Sequence, residues 1–221
     1  MSSIFEPQHN SLLFDFQEKF IQLKALAEAK DGYDQIGQIS SEALSMLNYI
    51  LFASHYKQTE LELTSVSAAG AAKDALFDIH QISKNMPVDI CFESSKQLDL
   101  VYSNTTAIRG IVFGLAAGCL HMIEPNQRAR VVVSGQQTNV NTQRIGIFSR
   151  DLDLRATDIR KTGSSTQNLM ITPGLSANSG IGFYISNELS KIIKSEIRQF
   201  SHRSLSGVGF YVPLSNQLQL V

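Results

Sequence analysis

The sequence has no tryptophan, and its 221 residues include only two cysteines and five prolines. Cys91 and Cys119 lie in apolar stretches and lack the spacing of metal ligands or of a disulfide framework, which predicts two reduced core residues. No run of about 18 apolar residues is present, so no membrane-spanning helix is predicted. The N-terminal segment MSSIFEPQHN lacks the charged start and apolar run of a signal peptide. Together these features predict a cytoplasmic protein with no membrane partner.

Charge of either sign is also scarce. Charged residues make up 18% of the chain, and 19 basic against 20 acidic residues leave a formal net charge of -1. No run of lysine or arginine marks a surface for nucleic acid, and we therefore predict no nucleic-acid partner. Hydrophobic residues make up 43%, which is typical of a globular protein. The length allows one large domain or two small ones.

Residues 1–57 carry two stripes of apolar residues at helical spacing, separated by a predicted turn at 30–34. The first stripe comprises Leu13, Phe16, Phe20, Leu23 and Ala27, and the second comprises Ile36, Ile39, Ala43, Met46, Ile50 and Ala53. Two such helices joined by a short turn form an antiparallel hairpin. Because a lone hairpin cannot cover both stripes, we predict that two copies pair into a four-helix bundle, which makes the protein a homodimer.

Residues 58–221 show a different pattern, in which helical and alternating segments are mixed. Helices are predicted within Val66–Asn85, after a cap at Ser103 or Asn104, and over Gly182–Lys194. Strands are predicted around 88–92, 131–133, 145–148, 196–201 and 208–212, with a loop at 151–179 and a domain joint at 58–65. This mixture predicts an α/β sandwich in which one layer of helices covers a mixed sheet.

Both the order of these elements and the amino-acid sequences of four segments resemble the core of the bacterial sensor histidine kinases. The segments are 38–54, 97–125, 179–197 and 207–214, which are similar to the second dimerisation helix, the N box, the G2 box and the closing strand. The most specific part is a glycine-aliphatic-glycine motif, a helix and then GVGFYVPL. The resemblance implies a dimerising hairpin, residues 1–57, followed by a Bergerat-like (GHKL) ATPase domain, residues 58–221.

The resemblance also implies a nucleotide site, and here the sequence departs from the family at its reactive positions. The N-box pattern N-L-x-x-N-A falls on GLAAGC, so Gly114 and Gly118 stand where asparagines belong. Glycine has no side-chain oxygen, whereas magnesium requires oxygen ligands. Loss of the metal removes a main source of rate acceleration in phosphoryl transfer. We therefore predict no cofactor, no metal and no ATP-dependent kinase activity.

Three further positions read as remnants of that site. Asp151 resembles the acid that binds adenine, although the glycines that should follow it are replaced by larger residues in DLDLR. Gly180 and Gly182 are retained from the G2 box, with Asn178 in place of its first glycine. After the loss of the other boxes, the favoured interpretation of these two glycines is that they only allow close packing of the loop on the sheet.

The family accepts phosphate on a histidine of the first hairpin helix, and His9 is near that place. A neighbouring stripe of Asn10, Phe14, Gln17 and Ile21 faces partly outward and is predicted to bind the partner. Counting back four residues from Leu13 instead puts His9 on the apolar seam. An ordinary capping or packing role for His9 therefore stays open beside that of phosphoacceptor.

Three functions are compatible with this pattern. The first is a ChpT-like histidine phosphotransferase that passes phosphate between receiver domains of response regulators or hybrid histidine kinases without using ATP. The absence of a proline in the helix HNSLLFDFQEKF departs from that family. The second is a pseudo-kinase adaptor that binds a response regulator or a kinase without transfer. The third, an ATP-binding module with an unusual site, is disfavoured by the missing N-box asparagine.

Overall fold

The computed structural model describes residue 23 and residues 33–56, 61–94, 98–124, 127–139, 141–151 and 177–215. Within these ranges there are four helices: α1 (Tyr33–Tyr56), α2 (Ala68–Ser83), α3 (Thr105–Leu120) and α4 (Ala177–Ile192). The seven strands are β1 (Thr64–Val66), β2 (Val88–Ser94), β3 (Val101–Ser103), β4 (Ala129–Gln137), β5 (Thr142–Ser149), β6 (Arg198–His202) and β7 (Leu205–Pro213). The first predicted helix, apart from a helical Leu23, and residues 30–32 of the predicted turn lie outside the described residues. Tyr33 and Asp34, the last two residues of the predicted turn, already belong to α1.

Five of the strands form one mixed sheet in the order β2-β4-β5-β7-β6. Strands β2 and β4 are parallel, and the other neighbours are antiparallel. One face of the sheet is apolar because Val131, Val133, Ile145, Ile147 and Phe210 alternate with residues of the opposite face, and all five are buried. Helices α2, α3 and α4 supply the other half of the core. The predicted α/β sandwich with a mixed sheet is confirmed.

Two of the helices begin at side-chain caps. The Asn104 side chain accepts a hydrogen bond of 3.1 Å from the Ala107 amide at the start of α3, as the sequence predicts. The neighbouring candidate, Ser103, is instead buried in β3. Ser67 caps α2 by accepting a bond of 3.0 Å from the Gly70 amide. These caps fix where the two helices enter the layer above the sheet.

Two boundaries differ from the sequence prediction. Helix α4 begins at Ala177, five residues before the predicted start, so the end of the predicted loop 151–179 is helical. A small antiparallel sheet pairs β1 with β3, with Thr64 opposite Ser103. Part of the predicted domain joint is therefore strand, because residues 64 and 65 are held by pairing with residues far along the chain.

Helix α1 packs against the α/β domain, which corrects one step of the sequence argument. Ala43, Met46 and Ala53 of the second apolar stripe are buried, and Met46 belongs to the same core as the sheet. The stripe was expected to need a sister helix and a second copy of the chain to cover it. Instead, helices α2, α3 and α4 cover much of it, so this stripe alone gives no reason for a dimer.

The two cysteines have different environments. Cys119 is fully buried in α3, and burial raises the pKa of its thiol far above the ordinary value. Cys91 is only partly buried on β2, with its sulfur 3.6 Å from a guanidinium nitrogen of Arg130. The prediction of two core cysteines is therefore wrong for Cys91, because side chains alternate along β2 and Cys91 is on the face away from the helices. Among the helices in the described ranges, none combines the length and apolarity needed to cross a bilayer.

Candidate functional site

Gly114 and Gly118, at which the sequence resemblance implies the N-box asparagines, lie at a direct contact between helices α3 and α4. A Cβ atom built on Gly182 would lie 2.7 Å from the Gly118 amide nitrogen and closer still to the Gly114 carbonyl oxygen. A Cβ atom on Gly114 would lie 2.6 Å from the Gly182 carbonyl oxygen and 2.5 Å from the Ser186 hydroxyl. Real Cβ atoms do not approach backbone this closely. The two helices therefore touch through their backbones, and only glycine fits at positions 114 and 182.

The residues present at this contact do not fit a magnesium-nucleotide complex. Gly114 and Gly118 have no side-chain oxygen for the metal, and both are buried against α4. The Ser186 hydroxyl, which is the nearest side-chain oxygen to Gly114, donates to the Ile111 carbonyl at 3.0 Å or to the Gly182 carbonyl at 2.9 Å. An asparagine at position 114 would require the helices to separate. We therefore derive no chemical step through ATP at this contact.

The alternative interpretation of Gly182, as a residue that packs a loop on the sheet, is corrected in one respect. Gly182 lies within α4 and packs on α3, not on a strand. Gly180 lies in the first turn of the same helix. Both helices carry small residues on the facing sides, which is what allows a close approach. Gly182 thus has a packing role in this structure.

Asp151, the predicted remnant of the adenine-binding acid, is located at the end of β5. Its carboxylate accepts a hydrogen bond of 2.8 Å from the Gln127 side-chain amide and one of 3.4 Å from the Ser149 hydroxyl. It lines a cleft together with Arg130 and Val132, whose side chains lie on the sheet face away from the helices. The structure thus brings Gly118 and Gly182 together and places Asp151 in a different, arginine-lined environment.

His9, the predicted phosphoacceptor, and Asn10, Phe14, Gln17 and Ile21, the predicted partner-binding residues, all lie outside the described residues. Their roles stay predictions. Of the other four histidines, His121 and His202 are near carboxylates, and His55 is exposed in the last turn of α1. In the described ranges no group of three or more His, Cys, Asp or Glu side chains could hold a metal ion.

The contact between α1 and the α/β domain contains a polar network that the sequence analysis did not find. Arg109 of α3 binds Asp78 of α2 through two hydrogen bonds of 2.9 Å, and the Tyr49 hydroxyl of α1 donates to the same carboxylate at 3.4 Å. The Tyr49 ring also packs on Phe113, with 5.4 Å between the ring centroids. Burial, aided by the Asp78 carboxylate, raises the pKa of Tyr49 well above its ordinary value. These contacts hold α1, α2 and α3 together at one point.

A second polar contact holds the same helix further along. An imidazole nitrogen of His121, which follows α3, lies 2.7 Å from a carboxylate oxygen of the buried Glu42 on α1. Glu42 and Tyr49 are seven residues apart and therefore lie on one face, two turns from each other. No sequence signal pointed to this pairing, because the partners are 79 residues apart. Helix α1 is thus fixed to the domain at two separated points.

The opposite side of α1 presents an apolar stripe to solvent. Leu44, Leu47 and Leu51 follow one another at spacings of three and four, and they are 59%, 39% and 58% exposed. Leucines at this spacing are typical of a helix face that contacts another helix. We call these three residues the leucine stripe of α1.

Comparison with known proteins gives a clear result for structure and none for sequence. No protein-family model matches the chain, and no curated protein sequence matches it. The catalytic domain of histidine kinase ThkA has a TM-score of 0.53 at 13% identity, covering 70% of this chain and 98% of that domain. The histidine kinase AdeS of Acinetobacter baumannii has a TM-score of 0.58 at 10% identity, covering 91% of this chain and 98% of the other.

A third similar structure is ThkA in complex with the response regulator protein TrrA. It has a TM-score of 0.55 at 14% identity and covers 94% of this chain and 61% of that one. At these identities the similarity establishes the fold. The chain therefore has the fold of histidine kinase catalytic domains.

Proposed function

We propose that the chain is a histidine phosphotransferase of two-component signalling that moves phosphate between receiver domains without using ATP. The observation that carries this proposal is the contact of Gly114 and Gly118 with Gly182, at positions where the sequence resemblance implies magnesium-binding asparagines. A kinase fold that has no ligand for the metal has lost ATP chemistry and kept its scaffold. His9 is the proposed phosphoacceptor, with Asn10 beside it.

The proposed reaction needs only a histidine and two aspartates. The imidazole nitrogen of His9 attacks the phosphorus of an aspartyl phosphate, so that an N–P bond forms as the P–O bond to the aspartate breaks. A second receiver aspartate then takes the phosphoryl group from the imidazole. Phe14 and Ile21, with Asn10 and Gln17, form the surface on which the receiver domain docks. Response regulators and hybrid histidine kinases carry such domains and are the proposed partners.

The experiment uses the full chain and a set of response regulators charged by a small-molecule phosphodonor. We expect acid-labile phosphate to appear on this chain, and His9→Ala to remove the label entirely because no other residue accepts it. The matched control is His55→Ala, an exposed histidine in the last turn of α1 whose loss should leave the label unchanged. Equal labelling of the His9→Ala protein would refute the assignment.

A binding-only adaptor is the second candidate, and the phase of the first predicted helix favours it. His9 is in register with Leu13 and would then face the apolar seam, where it cannot reach a receiver aspartate. In that case the regulators form stable complexes, no label appears, and His9→Ala leaves the complexes intact. Phe14→Ala and Ile21→Ala would weaken the complexes under both hypotheses, so labelling is the measurement that separates them.

We further propose that the protein is a homodimer that uses the leucine stripe of α1. Replacing Leu44 and Leu51 by glutamate should weaken dimerisation by at least about 100-fold, since each buried leucine contributes about 1.5–3 kcal/mol. Light scattering behind size-exclusion chromatography, over a range of concentrations, measures this change. The control is Phe77→Glu, since Phe77 is an apolar residue on α2 that is at least as exposed as the leucines. A monomeric unaltered protein, or equal dissociation by Phe77→Glu, would rule out this interface.

A further inference from the structure

The sheet face away from the helices is bent into a trough. Glu93 lies on β2 at one edge of the sheet, whereas His202 and Arg203 lie at the end of β6, at the other edge. Nevertheless, the Glu93 carboxylate is 3.4 Å from an imidazole nitrogen of His202 and 3.3 Å from a guanidinium nitrogen of Arg203. The two edges of a five-stranded sheet therefore approach each other across its outer face.

Arginine is concentrated in this trough. The chain has nine arginines, and five of them line two adjoining clefts that share Glu93 and Arg203. The five are Arg128, Arg130, Arg144, Arg150 and Arg203. Among the described residues that line the clefts there is no lysine. Since arginine presents a planar fork of donors that matches carboxylate and phosphate, this choice of cation points to an anion.

One of the two clefts, the arginine cleft, has an excess of positive charge. It is lined by Arg128, Arg130, Arg150 and Arg203 together with Glu93 and Asp151, and its volume is about 550 Å³. Among the lining residues, four guanidinium groups against two carboxylates leave two positive charges, and Asp89, outside the lining, also pairs with Arg130 at 3.9 Å. Because like charges repel, grouping these guanidinium groups costs electrostatic free energy. The formal net charge of the whole chain is only -1, so the group does not reflect a generally basic protein.

The two carboxylates do not neutralise the cleft. Glu93 is shared between Arg130 at 3.4 Å and Arg203 at 3.3 Å. Asp151 accepts its hydrogen bonds from the uncharged Gln127 and Ser149. The side chains of Arg128 and Arg150 form no hydrogen bond or ion pair with another described residue. Two guanidinium groups thus face the cleft without a counter-charge from the described part of the chain.

The backbone conformation of Arg203, at the rim of the arginine cleft, is a separate observation that points to ligand binding. Arg203 has a φ of 54°, in the left-handed region that disfavours residues with a Cβ atom. It lies in the tight turn between His202 and Leu205, where glycine or asparagine is the usual choice. A strained arginine that points into a charged cleft is more consistent with a binding role than with the needs of a turn.

We propose that the arginine cleft binds a small phosphate-bearing ligand. A phosphate group carries a charge of about -1.5 to -2 at neutral pH, which is opposite in sign to the excess charge of the residues that line the cleft. The volume is that of a small-molecule site. Arg128 and Arg150 contact the phosphate directly, and Arg130 and Arg203 are held in place by Glu93. The site is separate from the contact between α3 and α4 and does not depend on phosphotransfer by His9.

Calorimetric titration of the full chain with inorganic pyrophosphate at low ionic strength tests this proposal. We expect saturable binding that weakens by about 10-fold or more in Arg128→Gln and in Arg150→Gln, and that weakens further as salt is added. Arg150→Lys should retain only part of the affinity, because the ammonium group keeps the charge but loses the fork. Both arginines are exposed and have no hydrogen-bond or ion-pair partner among the described residues, so circular dichroism should show that these variants are folded.

The matched control is Arg198→Gln, an exposed arginine on β6 that pairs with Glu196 outside the cleft. Its affinity for pyrophosphate should equal that of the unaltered protein. The proposal is overturned if no saturation occurs in the millimolar range, or if Arg198→Gln weakens binding as much as Arg150→Gln. It is also overturned if a phosphorylated receiver domain, and not pyrophosphate, requires these arginines.

Discussion

Replacing Gly182 by alanine should lower the free energy of unfolding by about 3 kcal/mol, at the upper end of what overpacking costs. The added methyl group would meet the backbones of Gly114 and Gly118, which cannot rotate away as a side chain can. Helices α3 and α4 would have to separate, and both belong to the core above the sheet. For a domain of this size the loss corresponds to a melting temperature about 6–12 °C lower.

Urea unfolding followed by circular dichroism measures this effect, and α1 offers a control. Gly37 is an exposed glycine in that helix, and a Cβ atom there meets nothing within 4 Å. Gly37→Ala should stabilise the protein by about 0.5–1 kcal/mol, because alanine is the better helix former. Opposite signs for the two glycine-to-alanine changes are the expected result. A neutral or stabilising Gly182→Ala would show that the helices do not touch through their backbones.

Replacing Tyr49 by alanine should cost about 3–5 kcal/mol, which is typical of truncating a large buried aromatic residue. The ring fills the space above Gly110, where a Cβ atom would lie 2.6 Å from a ring carbon, and it packs on Phe113. Its removal leaves a cavity at the point where α1 meets the domain. We therefore expect hydrogen exchange of α1 amides to accelerate more than exchange in the sheet.

The control for this change is Tyr49→Phe, which keeps the ring and removes the hydroxyl. Its hydrogen bond to Asp78 is long, at 3.4 Å, so the loss should be less than about 1 kcal/mol near neutral pH. If Tyr49→Phe is as damaging as Tyr49→Ala, polar contacts and not packing hold α1 in place.

The pH dependence of these variants follows from the raised pKa of Tyr49. In the unfolded chain the phenol ionises near its ordinary pKa of 10.0, whereas in the folded protein it stays protonated to higher pH. As the pH rises above 10, ionisation of the phenol therefore stabilises the unfolded state, and the free energy of unfolding falls. Tyr49→Phe cannot ionise at this position, so its stability relative to the unaltered protein should increase above pH 10. Urea midpoints between pH 8 and 11 measure the difference.

Much of the fold was predictable from local patterns. Alternation at Val88, Ile90 and Phe92 predicted β2, and the Asn104 cap predicted the start of α3, because both signals depend on neighbouring residues. The three-residue strands β1 and β3 were missed, since so short a segment carries no periodicity. The early start of α4 was missed for a different reason, because residues 151–179 were interpreted as a loop.

For the candidate site, the sequence predicted only which chemical groups are missing. The glycines at 114 and 118 indicated the loss of magnesium ligands, because that conclusion depends on side-chain chemistry alone. Their contact with Gly182 depends on packing between segments more than 60 residues apart, and no local pattern reveals it. The docking of α1 was likewise hidden, since the stripe containing Met46 would suit a sister helix as well as the α/β domain.

The position of β7 in the sheet has a consequence for the order in which the protein is made. β7 comes last of the described strands in the chain, yet it lies between β5 and β6 inside the sheet. Until the ribosome has released residues 205–213, β5 has an unpaired backbone edge and β6 has no neighbour. Such an edge can pair with other chains. Nascent chains stalled before β7 should therefore be the form most prone to aggregation and most dependent on chaperones.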